Sequence, residues 1–333
     1  MHRFTIPFVV FAVMMVSALG GSARPSVAAQ VATPETRPMP GPAQFLWESA
    51  GDPQRPLHDP WFLCLNPAGQ LWVVDGRNNQ FQIIAPDGRF VDAWGTAGTK
   101  TGEFDFVEHG ACAFDAEGNL YVVDTGNHRL QKFGPDRGLL TVWGSEGSGE
   151  GQFLQPLDVA VAPDGRVYVI DDQRNDVQVF AGEGQFLFAF GDAGSEDGQL
   201  FDTGGLTVAD DGTVWVADYG NYRVQSFSAD GQLLSVWGEA GTDKGRFNRP
   251  IDLVVDEQDH VYVVDCCNYR VQVFDEDGRY LAQFGKPGAA EGDLSGPVSI
   301  ARDASGQLYV SDANRGVVLA YRLDLPAVAT PAP

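Results

Sequence analysis

The sequence predicts an all-β fold, a six-bladed β-propeller of four-stranded antiparallel blades, and three observations predict it. Six aspartates, Asp75, Asp124, Asp171, Asp218, Asp265 and Asp312, recur at intervals of 49, 47, 47, 47 and 47 residues, each closing an apolar run such as Leu-Tyr-Val-Val. Trp47, Trp94, Trp143, Phe190, Trp237 and Phe284 keep the same clock, and the last five each precede a glycine. Within one period, short runs rich in β-branched and aromatic residues alternate with turn signals. A period of this length built from strands marks an array whose units bury their faces on their neighbours.

The third period shows the four strands of a blade, at 157–161, 167–171, 177–180 and 186–190. Pro163-Asp164-Gly165 separates the first two and Gly182-Glu183-Gly184 the last two, both hairpin turns that need positive φ. The counterpart turn Glu257-Gln258-Asp259 lacks the glycine. The sixth period supplies three strands and stops near Leu323, while Gln44-Phe45-Leu46-Trp47 stands one period ahead of the first complete blade. This N-terminal strand is expected to complete the last blade and close the ring, which removes the free sheet edges that invite aggregation.

Outside 44–325 the sequence predicts flanks rather than a second domain. Residues 1–29 read as a signal peptide: His2 and Arg3 precede an apolar stretch interrupted by Pro7, and Val27, Ala28 and Ala29 are small. An uncleaved N-terminal anchor is the alternative, and no later segment is a candidate span. Residues 30–43 form a Pro-rich linker and 326–333 a disordered tail. The protein is therefore expected to be secreted or extracytoplasmic, and a monomer. A net charge of −23 argues against nucleic acid and anionic membranes as partners.

The residues after the aspartates repeat as well. Asp124-Thr125-Gly126-Asn127-His128-Arg129-Leu130-Gln131, Asp218-Tyr219-Gly220-Asn221-Tyr222-Arg223-Val224-Gln225 and Asp265-Cys266-Cys267-Asn268-Tyr269-Arg270-Val271-Gln272 share the pattern Asp-x-x-Asn-x-Arg-[Leu/Val]-Gln. This resembles the NHL-repeat family of six-bladed propellers. Period one departs from it with Gln80, period three with Arg174 and Asp176, and period six with Arg315 and Val317. A carboxylate at a strand end, an Asn able to adopt the left-handed conformation and a forked Arg suit a loop clamp, so these residues are read as scaffold.

Function is expected on the face that carries the loops entering each first strand and joining the second strand to the third. The candidate ligand-binding residues there are His58, Trp61, Glu108, His109, Asp158, Asp202, Arg249 and Asp252; none is assigned as catalytic. His109 leads, because 104–114 holds the two-residue insertion that breaks the period. Peptidyl-hydroxyglycine amidating lyases are similar propellers whose three histidines hold zinc, as an open Lewis-acid site requires. The matching places here are Trp61, Gly110, Leu157, Gly204, Ile251 and Val298, none a histidine. No cofactor is expected first; zinc, or calcium on aspartates and backbone carbonyls as in lactonase-type propellers, stays open.

Cys64 and Cys112 lie in neighbouring first strands one place out of register, where alternation points side chains to opposite faces, so no bond is expected between them. The adjacent Cys266 and Cys267 are expected to form a vicinal disulfide or a redox-sensitive pair. The leading functional expectation is an exported binding or scaffold module for a protein, peptide or glycan, leaning away from an enzyme. The alternative is a metal-assisted lyase or hydrolase, related to amidating lyases or lactonase-type propellers, that uses His109 with Glu108, His58 or nearby aspartates.

Overall fold

The computed structural model describes residues 43–106 and 109–325. The expected signal peptide, most of the Pro-rich linker, the tail and Glu108 lie outside the described residues. Six four-stranded antiparallel sheets form the blades. Blade 3 runs Pro156–Val161, Val167–Asp171, Asp176–Phe180 and Phe186–Phe190, within a residue of the sequence reading. Blade 6 takes three strands from the end of the chain, Pro297–Arg302, Gln307–Asp312 and Val317–Leu323, and its outermost strand, Ala43–Ser49, from the start. Trp47 pairs with Ala320 and Ser49 with Val318, so the ring closes as expected.

The second strand of every blade is buried along its whole length, from Leu71–Asp75 in blade 1 to Gln307–Asp312 in blade 6. Both its faces pack on other blades, which is why these runs are continuously apolar instead of alternating. The aromatic clock has a local cause. Trp47, Trp143, Phe190 and Trp237 each cover the outer-turn glycine of the following blade, Gly88, Gly184, Gly231 and Gly278. A Cβ on Gly184, whose φ is +86, would stand 2.6 Å from the Trp143 ring, so both space and backbone demand glycine. Blade 2 replaces it with Arg137 at φ 65, whose guanidinium lies 5.3 Å from the Trp72 ring and 5.9 Å from that of Trp94.

The repeated aspartates are clamps. Asp218, fully buried, accepts hydrogen bonds from Phe201 N (3.0 Å), Asn221 Nδ2 (2.9 Å), Arg223 Nε (2.7 Å) and Gln225 Nε2 (3.0 Å). Arg223 Nη2 then reaches Glu196 O and Gln199 O, tying down the loop that enters the blade. The asparagine of the repeat holds the aspartate, and it is the next residue, Asn79, His128, Tyr222 or Tyr269, that adopts positive φ. In blade 3 Arg174 turns instead to Asp176 at 2.7 Å, so that clamp is rebuilt as a local ion pair.

One expectation is corrected: Cys64 and Cys112 are disulfide-bonded, with Cα atoms 5.7 Å apart. Cys64 pairs with Trp72 while Cys112 pairs with Val122, so they do stand one register place apart. Within one sheet that offset sends side chains to opposite faces. Neighbouring blades, however, present opposite faces to each other, and the same offset turns both sulfurs into the shared interface. Cys266 and Cys267 are unbonded thiols with their sulfurs 3.7 Å apart, so the vicinal bond is not formed in this structure.

Candidate functional site

The innermost strands surround an axial channel that encloses a cavity of about 220 Å³, lined among others by Phe62, Cys112, Asp158, Asp252 and Arg302. At the loop-bearing mouth, the incoming segments are stitched to the turns that follow the aspartates: Gly76 N donates to Asp59 O, Asp172 N to Gln155 O and Cys266 N to Arg249 O. The mouth is thus built from two rings of residues on rigid backbone, which suits a binding surface.

Trp61 and His109 meet there edge to face, with ring centroids 4.5 Å apart. Gln173 Nε2 donates to Gln155 Oε1 at 2.7 Å, which turns the Gln155 amide nitrogen toward His109 Nδ1 at 3.3 Å. Nδ1 therefore accepts, and the imidazole proton stays on Nε2. Burial lowers the His109 pKa to about 4, so the ring is neutral at physiological pH. Trp61, His109, Gln155 and Gln173 make an uncharged row across blades 1 to 3.

Blades 3 to 5 supply the charged arc. Asp172 accepts from Thr203 N at 2.8 Å, and burial, with Asp202 adding to it, raises its pKa to about 6. Asp202 is exposed, its backbone N held by Asn175 Oδ1 at 2.9 Å. Arg249 Nη1 donates to Tyr219 Oη at 3.0 Å, and burial pushes that phenol up to about 12. The Cys266 hydrogen bond, with Arg249 helping, lowers the Cys267 thiol to about 7, and the same bond raises Cys266.

Not every predicted residue reaches this mouth. His58 is exposed and engages through its backbone, N donating to Asp75 Oδ1 and O accepting from Arg77 N. Asp158 and Asp252 lie in the innermost strands rather than the loops, both buried. The strand bulge between Pro156 and Asp158, repeated between Pro250 and Asp252, turns them inward. Asp158 Oδ2 accepts Leu206 N of blade 4, and Asp252 Oδ2 accepts Ile300 N and Ser299 Oγ of blade 6. They latch blades. A Cβ on Gly205 would collide with both carboxylates, so glycine is what lets them converge there. Sequence reasoning did not single out Gln173, Tyr219 or Asp172; the latter two stand one place after the clock aspartates, a signal available in the period itself.

Among the described residues no group of three or more His, Cys, Asp or Glu is placed to hold a metal ion. No helix among them is long and apolar enough to cross a membrane.

Residues 57–84, 109–133, 204–227 and 247–274 match the NHL repeat. These fall in blades 1, 2, 4 and 5, the blades whose clamp keeps its asparagine, Asn78, Asn127, Asn221 and Asn268; blades 3 and 6 carry Arg174 and Arg315 there. No curated protein matches the chain in sequence. Among solved structures the chain is similar to a gluconolactonase from Xanthomonas campestris, at 18% identity and TM-score 0.61, covering 85% of this chain and 90% of that one. It is also similar to a streptogramin B lyase, at 10% identity and TM-score 0.59 over 84% and 98% of the two chains. An auxiliary nutrient binding protein from Bacteroides ovatus matches at 16% identity and TM-score 0.58 over 80% and 70%. Likeness at these identities is likeness of fold. The recurring clamp, the closed ring and the matched repeats together identify the chain as a six-bladed β-propeller carrying NHL repeats.

Proposed function

We propose that the protein is a binding module working outside the cytoplasm, and that the loop-bearing mouth of its propeller recognises a glycan. The observation that carries this reading is the uncharged row of Trp61, His109, Gln155 and Gln173. An indole beside an imidazole offers apolar surface to the C–H groups of a sugar ring. The two amides and the His109 Nε2–H offer fixed donors and acceptors to its hydroxyls. Export is supported by the basic, apolar and small-residue pattern of residues 1–29 and by the Cys64–Cys112 disulfide. The nutrient-binding relative, though distant, offers a precedent for this fold in binding.

Proton transfer is less well served. An imidazole with a pKa of about 4 is protonated in roughly one molecule in a thousand at pH 7, which makes it a weak general acid and a weak base. The alternative, a metal-assisted lyase or hydrolase, draws on the streptogramin B lyase and gluconolactonase sharing the fold. It would have to use Asp172 and Asp202, the carboxylates at the mouth, because Asp158 and Asp252 are spent on blade contacts. A glycan array probed with purified protein tests the reading. Saturable binding that falls by at least about tenfold in Trp61→Ala and His109→Ala is expected. Binding of peptides alone, or turnover of a lactone or streptogramin, would contradict it.

A further inference from the structure

We propose that Arg249 forms a carboxylate subsite, so that the glycan taken at the mouth is an acidic one bearing uronic-acid groups. The glycan part rests on the reading above; the anion part rests on Arg249 alone.

The chain holds 45 acidic residues against 22 basic ones, and its guanidinium groups are mostly consumed by carboxylates. Arg129, Arg223 and Arg270 clamp their blade aspartates, while Arg174, Arg302 and Arg315 pair with Asp176, Glu257 and Glu48. Arg249 is not among these pairs, nor is Arg55, which is spent on oxygens of Asn78 and Gln80. Among the described residues the hydrogen-bond partners of Arg249 are two phenols, Tyr219 at 3.0 Å and Tyr222, and its guanidinium lies 5.2 Å from the Tyr219 ring centroid. The phenols hold the group in place without neutralising it, and the nearby Cys267 thiol, lowered to about 7, is a further group that feels its charge. Asp202 faces Arg249 and feels its charge, yet forms no ion pair with it.

The left-handed conformation of Arg249, φ +66, recurs at the matching place of other blades, at Asp59 with φ +62 and Asp202 with φ +49, so the repeat sets the backbone there and Arg249 supplies the positive charge. A half-exposed, oriented guanidinium with an open fork matches the planar carboxylate, which it binds through two parallel hydrogen bonds. Arg249 and Trp61 occupy blades 5 and 1 of one mouth, so a short oligosaccharide that lies on Trp61 can present its acid to Arg249.

The test uses trigalacturonate and its methyl ester, titrated separately into the folded protein labelled with nitrogen-15. The Arg249 Nε–H and Trp61 indole signals are followed and assigned with Arg249→Gln and Trp61→Phe. The expected result is a saturable shift of the Arg249 signal with the acid and none with the ester, binding of the acid about tenfold tighter, and loss of that preference in Arg249→Gln. If Trp61 responds to both probes and Arg249 to neither, or if the preference survives Arg249→Gln, the subsite is overturned while the glycan reading stands. If Arg249 responds to the acid and Trp61 to neither probe, the anion subsite stands and the glycan reading falls. Silence of both signals overturns both.

Discussion

Cys64 of blade 1 is bonded to Cys112 of blade 2 across the blade interface, from successive rather than matching places in their strands. The bond closes a loop of 48 residues that contains most of blade 1. Cys64→Ser with Cys112→Ser is expected to lose about 2–4 kcal/mol of stability while keeping the ring, because the five other interfaces are untouched. Urea unfolding measures the loss, and a non-reducing peptide map of the wild type should link these two cysteines; a map with both thiols free contradicts the structure.

The Asp158 and Asp252 carboxyls set a pH dependence. Burial raises Asp252 to about 7, and burial with the neighbouring Asp252 raises Asp158 well above the ordinary carboxylate value of 3.8. Between those limits the folded chain binds more protons than the unfolded one, so stability from this pair is full below about pH 4 and falls as pH rises toward 7. Asp252→Asn still accepts Ile300 N but cannot ionise. The stability difference between wild type and this variant should move in the variant's favour from pH 4 to pH 8, as read from urea midpoints; a difference that does not change with pH contradicts the account.

His109 should be silent over the usual titration range. With Nδ1 accepting from Gln155 and burial holding the pKa near 4, its nitrogen shifts should report the Nε2–H tautomer and stay constant from pH 5.5 to 8, by the roughly tenfold-per-unit rule for protonation. A midpoint near 6.5 would mean that the ring is open to water and that the mouth is not built as described.

Ring closure concentrates stability in a few N-terminal residues. Phe45 packs on Tyr321 with centroids 6.0 Å apart, Trp47 covers Gly88, and Glu48 pairs with Arg315 at 2.6 Å. Phe45→Ala should cost about 3–5 kcal/mol, and deletion of residues 44–48 more than that. An unchanged melting temperature after the deletion would refute closure by this strand.

Most of the fold was legible because its determinants repeat. A buried aspartate needs partners, a tight turn needs glycine, and a ring aromatic needs that glycine beside it, so Asp218, Gly184 and Trp143 each report their environment in sequence. The two-residue insertion that breaks the period marks the loop of His109, whose ring the structure places against Trp61. What escaped depends on geometry between blades. The Gln173 to Gln155 to His109 chain spans blades 3 and 2, the Cys64–Cys112 bond depends on how neighbouring faces meet, and the bonds of Asp158 to Leu206 and of Asp252 to Ile300 join residues one period apart in different blades.

Glycan recognition at the loop-bearing mouth, the proposed function, turns on Trp61. Isothermal titration of the oligosaccharide selected on an array into wild type, Trp61→Ala and Glu257→Ala tests it most directly, since Glu257 lies in a tight turn of the opposite face. Affinity is expected to drop by about tenfold or more in Trp61→Ala and to stay unchanged in Glu257→Ala. Equal affinity in wild type and Trp61→Ala, or a loss in Glu257→Ala alone, would contradict it.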